Sequence, residues 1–177
     1  MRFESKEDVV AYLRENPVRL ELNDSPDITE LPALPRSLTD LWVKNCRWMI
    51  KLPASPSLIN LRVDNCPGIT RLPAQPRLLT LQLHNCPGIR RLPALTSLTD
   101  LAIYNCPGIS RLHLPSSLTY LRLENCPSIV RLPALPIQLT YLLVLNCPGI
   151  TRLPALPGSL KYLRVERDCG STRLPMQ

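Results

Sequence analysis

Six of the seven cysteines are where chemistry is first sought. Cys46, Cys66, Cys86, Cys106 and Cys126 stand 20 residues apart, and Cys147 follows after 21. Clustered thiolates would hold a metal or form a disulfide framework. Zinc sites need close Cys-x-x-Cys pairs or accompanying histidines, and this spacing supplies neither. The even period instead makes each cysteine a small apolar filler whose S–H reaches a backbone carbonyl. The chain has two histidines, His84 and His113. His113, alone in its unit, reads as solvated surface. For His84, Asp64, Asp100 and Tyr104 fall on adjacent segments, a conceivable acid–base cluster. No nucleophile or oxyanion device joins it, and there is no phosphate-binding glycine loop. The expectation is a chain without catalysis, cofactor, metal or small-molecule substrate.

A second regular set is basic. Lys51, Arg71, Arg91, Arg111, Arg131, Arg152 and Arg173 occupy one equivalent place, just before a Leu-Pro arm. Like charges in a line are unfavourable unless carboxylates, carbonyls or an anion neutralise them. One reading is solvated arginines bonded to loop carbonyls. The other is a groove for an acidic protein segment, phosphoinositide or nucleic acid. Nucleic-acid binding would bring steep salt dependence, but no nucleic-acid motif accompanies the column.

Both sets are positioned by one repeating unit. In the copy that starts at Leu98, Leu98, Leu101, Ile103, Cys106 and Ile109 take places 1, 4, 6, 9 and 12. Asp100 to Tyr104 alternates inward and outward residues, which is strand periodicity. Asn-Cys-Pro-Gly then turns the chain. The asparagines before the cysteines (Asn45, Asn65, Asn85, Asn105, Asn125, Asn146) read as turn chemistry, with a stacked amide ladder as the alternative. A proline-rich return arm, such as Leu31-Pro32-Ala33-Leu34-Pro35, is extended or polyproline-like. One unit buries too little alone, so copies must stack with their strands parallel. Eight coils at about 4.8 Å each make a rod roughly 40 Å long.

The whole chain has 177 residues and net charge +7. Residues 1–16 stand apart from the repeats. Ser5 and Asp8 form a capping box, and Val9, Val10, Tyr12 and Leu13 an apolar stripe, so a short helix caps the open first coil. Residues 17–177 form the solenoid, one structural domain with the helix. In its first coil Leu20, Leu22 and Ile28 take the apolar places, with Ser25 where cysteine belongs. In the second, Arg47-Trp48 replaces Pro-Gly. The last coil, 160–177, is degraded: Asp168 and Ser171 stand at core places, and Cys169, one step out of register, is expected to be the most accessible thiol. No apolar run is long enough to span a membrane, and no secretion signal opens the chain. Regularly placed unpaired cysteines favour a reducing, cytoplasmic compartment.

The frame L-x-x-L-x-L-x-x-C-x-x-I resembles the leucine-rich repeat in its cysteine-containing form. The Leu-Pro-x-Leu-Pro arms, as in Leu132 to Pro136, resemble the LPX-type repeats of bacterial type III secreted effectors. The segment from Leu61 to Ile69 is similar to the C-terminal repeats of plant intracellular immune receptors. This resemblance implies a horseshoe segment with its parallel sheet on the concave face and its arms on the convex face. It implies protein recognition, and for a secreted effector, work in the host cytoplasm. A repeat module cut from a larger receptor and an engineered repeat scaffold are alternatives; the uneven caps and the irregular second turn argue against engineering.

Places 3, 5 and 7 point outward from the sheet and vary freely between copies. They hold five of the chain's eight aromatic residues. The candidate partner-binding set is Trp42, Arg62, His84, Tyr104, Tyr120, Arg122, Tyr141, Leu143, Leu145, Tyr162 and Arg164. Tyrosine, tryptophan and arginine dominate binding hot spots, and Leu143 and Leu145 are apolar at places expected to be exposed. On that reading Leu143→Glu leaves folding intact. The competing reading is that these side chains stack across strands only to stabilise the sheet.

Overall fold

The computed structural model describes residues 2–166. After helix α1 (Lys6–Arg14), eight five-residue strands follow in order: β1 (Arg19–Asn23), β2 (Asp40–Lys44), β3 (Asn60–Asp64), β4 (Thr80–His84), β5 (Asp100–Tyr104), β6 (Tyr120–Glu124), β7 (Tyr141–Leu145) and β8 (Tyr162–Glu166). They form one parallel sheet in sequence order, β1 to β8, each strand paired with the next. The register is constant: Asp40 faces Asn60, Asn60 faces Thr80, and Thr80 faces Asp100. The result is a stacked-coil β-solenoid with one short helix. The helix was expected from the sequence within residues 1–16 and is observed at its centre. The tail of the eighth coil, with Asp168, Cys169, Ser171 and Arg173, lies outside the described residues.

The helix begins where its capping chemistry allows. Ser5 Oγ accepts from the Asp8 N–H at 3.1 Å, and Asp8 accepts from the Ser5 N–H at 2.9 Å. Val9 and Leu13 are buried on one face, and Phe3 packs edge-on against Tyr12. That face covers the core's first coil.

Inside the coils, places 1, 4, 6, 9 and 12 are almost completely buried from Leu20 to Ile150. Transfer of such side chains from water contributes about 1.5–3 kcal/mol for each large one. All six cysteines are buried and unpaired. Each thiol donates to the carbonyl two residues before it, at 3.2–3.3 Å. In the first coil Ser25 does the same toward Asn23, and its Oγ also accepts from the Phe3 N–H. Ser25 can therefore replace cysteine because the place needs a small donor, not a thiolate. The contact with the neighbouring thiol, then burial, pushes Cys66, Cys86 and Cys147 far above the ordinary thiol range. Within each contact the opposite shift falls on Cys46, Cys106 and Cys126; burial raises all six, and that direction governs a sealed core. The ladder is structural and unreactive.

Asparagine at place 8 does two jobs. Every one from Asn45 to Asn146 has φ between 51° and 56°, the left-handed region that an ordinary side chain avoids. That conformation turns its N–H toward the next coil, where it bonds the carbonyl at the end of the following strand: Asn85 to Tyr104 at 3.0 Å, Asn105 to Glu124 at 2.9 Å. The side chains also stack. Asn65 donates to Asn45, Asn105 to Asn85 and Asn125 to Asn105 through their amides, at 2.6–2.9 Å. Turn chemistry and amide ladder are thus both present. Two residues on from cysteine the chain is pressed against the coil before it. A Cβ on Gly88 would lie 2.6 Å from the Pro67 oxygen and 2.8 Å from that of Ile69.

Asn105→Ala should cost about 2–4 kcal/mol, since it combines left-handed strain with loss of two amide contacts. Asn105→Gly, free of that strain, should cost about half as much. Urea unfolding of the two variants measures the difference; equal losses would mean that φ is not what selects asparagine.

Candidate functional site

The stacking that fixes the inner places leaves three columns of outer ones, which register aligns along the sheet. The first runs through Tyr120, Tyr141 and Tyr162; their rings stack at 4.3 and 4.4 Å with interplanar angles of 11° and 5°. Parallel in-register strands bring the same place of each coil to one strand spacing, so planar side chains have little other way to pack. The next column carries Trp42, Arg62, Gln82, Ala102, Arg122, Leu143 and Arg164. The third carries Lys44, Asp64, His84, Tyr104, Glu124, Leu145 and Glu166 along the same registers.

Arginines of the middle column are held by carboxylates of the third. Arg122 Nε donates to Glu124 at 2.6 Å, and Arg164 Nε to Glu166 at 2.8 Å. Arg62 sits 3.5 Å from Asp64. Arg122 also lies over the Tyr104 ring, 4.9 Å from its centre. The strands thereby present forks whose orientation is already set, which reduces the ordering cost of binding. At the other end, Arg19 lies 4.6 Å over Trp42 and bonds electrostatically to Asp40 and Glu21. Arg19 and Glu21 extend the outer columns into β1, beyond the residues expected from the sequence. The clue was the hidden first repeat, whose Leu20 and Leu22 place Arg19 and Glu21 on the outer side.

One expectation fails. Leu143 is only 5% exposed, whereas Tyr162 is 40% exposed. Leu143 stands between Arg122 and Arg164 and is flanked along its strand by Tyr141 and Leu145. Side chains of this length cover a leucine on an otherwise open face. Leu143→Glu would therefore bury a charge beneath its neighbours and is not a neutral surface change. Leu145, half-buried, remains the accessible apolar residue of the pair.

Of the conceivable acid–base cluster, Asp64 and Tyr104 flank His84 in one column, while Asp100 lies in another. His84 stacks flat on Tyr104 at 4.2 Å, while Asp64 is engaged by Arg62. Asp100 belongs to the tyrosine column and accepts from Thr99 at 2.6 Å. Burial, then the Arg62 charge, lowers the His84 pKa below its ordinary value. His113 is exposed. Among the described residues no group of three or more His, Cys, Asp or Glu side chains could hold a metal. No helix among them is long and apolar enough to cross a membrane.

The basic column lies away from the strands, on the arms after the turn. Lys51, Arg71, Arg91, Arg111, Arg131 and Arg152 are all exposed. Arg173 lies outside the described residues. A further feature went unnoticed in the sequence: the asparagine amides and the prolines two places on, from Asn65 to Pro148, line one shallow open groove of about 690 Å³. The repeated Asn-x-Pro is its signal, although turn chemistry or an amide ladder already explains each asparagine.

Comparison with protein-family models, with curated proteins and with solved structures finds no match.

Because the folded state holds His84 neutral, its contribution to stability is complete above the ordinary value of 6.5. It declines as pH falls below that value, where the unfolded chain takes up a proton first, and is lost once pH passes the lower folded pKa. Wild type should thus lose more stability than His84→Gln between pH 7.5 and pH 5. Parallel denaturant titrations at the two pH values check this; identical slopes would place His84 in water.

Proposed function

We propose that the chain is a non-enzymatic protein-binding module built as a leucine-rich-repeat segment, with the outer sheet face of β6–β8 as its binding surface. One observation carries the reading: three stacked tyrosines lie beside the column of carboxylate-held forks of Arg122 and Arg164, with Leu145 on that column's far side. Stacked tyrosines and an accessible leucine on either side of fixed guanidiniums have the composition of an interface hot spot. The scaffold itself needs none of these side chains in the core. Trp42, Arg62, His84 and Tyr104 extend the surface toward the helix-capped end. The LPX-like arms and cysteine-containing frame support an effector-like protein acting in the cytoplasm of a host cell, where unpaired thiols persist.

Tyr141→Ala/Leu145→Glu tests the reading. Immobilised wild type should retain a protein from plant or animal cell lysate above 0.5 M salt, and the double variant should lose it at least about ten-fold, as hot-spot truncation does. Equal retention by both, or release of everything at low salt, would remove the sheet face from the account.

A further inference from the structure

We infer that the arginines Arg71, Arg91, Arg111, Arg131 and Arg152 form a second binding site, independent of the sheet face, for an acidic α-helix of a partner protein laid along the stack. Each coil contributes one of them, at the same place after the turn. The backbone bridge between Arg91 and Arg111, like that between Glu30 and Lys51, shows that the arms carrying this place are direct neighbours. At the bridged Arg91–Arg111 step the ladder advances by one strand spacing, about 4.8 Å, and that step sets the pitch used for the stack.

The chain pairs the arginines of its sheet face with carboxylates and leaves the aligned arginines of the arms without one. On the sheet face Arg19, Arg62, Arg122 and Arg164 each have a carboxylate two residues on, within 2.5–3.5 Å. At the head of the ladder Glu30 takes the basic place and pairs with both Lys6 and Lys51, at 3.1 and 3.2 Å. Those two contacts hold the Glu30 carboxyl below its ordinary pKa. Beyond Lys51 no carboxylate among the described residues pairs with any of the five arginines. The residues just before them are Thr70, Arg90, Ser110, Val130 and Thr151, none acidic. The first coil shows that an acid can be accommodated at this place, so the succession of unneutralised arginines is a feature of the sequence rather than of the backbone.

Spacing selects the kind of anion. Five rungs span about 19 Å. Acids placed one to each turn of a helix repeat every 5.4 Å, so five of them span about 22 Å from first to last, a mismatch that flexible arginine stems absorb. Same-side residues of an extended strand repeat at about 6.7 Å and would drift by roughly 8 Å over the same ladder. Single-stranded nucleic acid is bound where basic grooves alternate with aromatic platforms. No Phe, Trp or Tyr adjoins any of the five arginines in sequence. Val130, 61% exposed beside Arg131, instead offers an apolar contact suited to the rim of an acidic helix.

The probe is a labelled peptide of about 20 residues, long enough for five helical turns, with glutamates on one stripe. Its control has the same composition with the glutamates spread around the helix. Fluorescence anisotropy is read with the full chain, with Arg91→Gln/Arg111→Gln/Arg131→Gln, and with Arg14→Gln/Arg36→Gln/Arg77→Gln. The second triple removes equal charge from exposed arginines off the ladder. The striped peptide should bind wild type and lose roughly ten-fold on the ladder triple, with little change on the other. Tyr141→Ala should bind it like wild type, which separates this site from the sheet face. Equal binding of the scattered peptide, equal loss on both triples, tighter binding of a single-stranded oligonucleotide, or no binding of the striped peptide would each overturn the proposal. Unchanged thermal midpoints for both triples show that the loss is not unfolding.

Discussion

The left-handed asparagine turn is the constraint on which the rest of this structure depends. At φ near 52° the chain reverses and aims its N–H at the next strand's final carbonyl. Few side chains tolerate that backbone, and asparagine alone among them can also stack amide on amide. Once every coil turns in the same way, identical places fall above one another along the whole sheet. The cysteine that follows must be small enough to pack inside and must still satisfy a carbonyl. The glycine after it must let the chain touch the coil before. Where Ser128 and Trp48 occupy that glycine place, the stack accommodates a Cβ, so the closeness is a preference of the regular coils and not an absolute bar.

Stacking has an equal consequence outside. A residue repeated at an outer place becomes a column, whatever its chemistry. Tyrosines become a ring stack, asparagines an amide ladder, and arginines a line of positive charge. Parallel sheets are normally covered on both faces. Here the outer face is left to tyrosines, long arginines and their carboxylates, which screen Ala102 and Leu143 without closing the surface. The two proposed sites follow from this: one uses the aromatic columns of the sheet, the other the charge column of the arms.

Most of the scaffold was legible because a 20-residue period repeats each inference several times. The strand places, the turn, the capping box of Ser5 and Asp8, and the inward cysteines all follow from periodicity and residue chemistry. What escaped depended on neighbours. Leu143 reads as exposed from alternation alone, and only the long side chains above and below it make it buried. His84 reads as close to two aspartates; register keeps Asp64 beside it, where Arg62 also engages that carboxylate, but places Asp100 in another column. Gln75 is buried, its amide taking the Ser55 N–H at 2.9 Å and giving to the Pro53 carbonyl at 3.1 Å. Nothing in a proline-rich arm announces that a glutamine will cross between coils. The amide–proline groove was missed for the opposite reason, since each residue in it already had a structural explanation.

The chain divides into stacked places that make the fold and outer places free to serve binding. The most direct measurement is the unfolding transition of Tyr120→Thr/Tyr141→Thr/Tyr162→Thr. Threonine suits a strand, so the account predicts a cooperative transition with wild-type secondary structure and a loss no greater than about 1 kcal/mol for each cross-strand pair removed. Loss of cooperativity, or collapse of β6–β8 in hydrogen exchange, would contradict it and make the tyrosine column part of the scaffold.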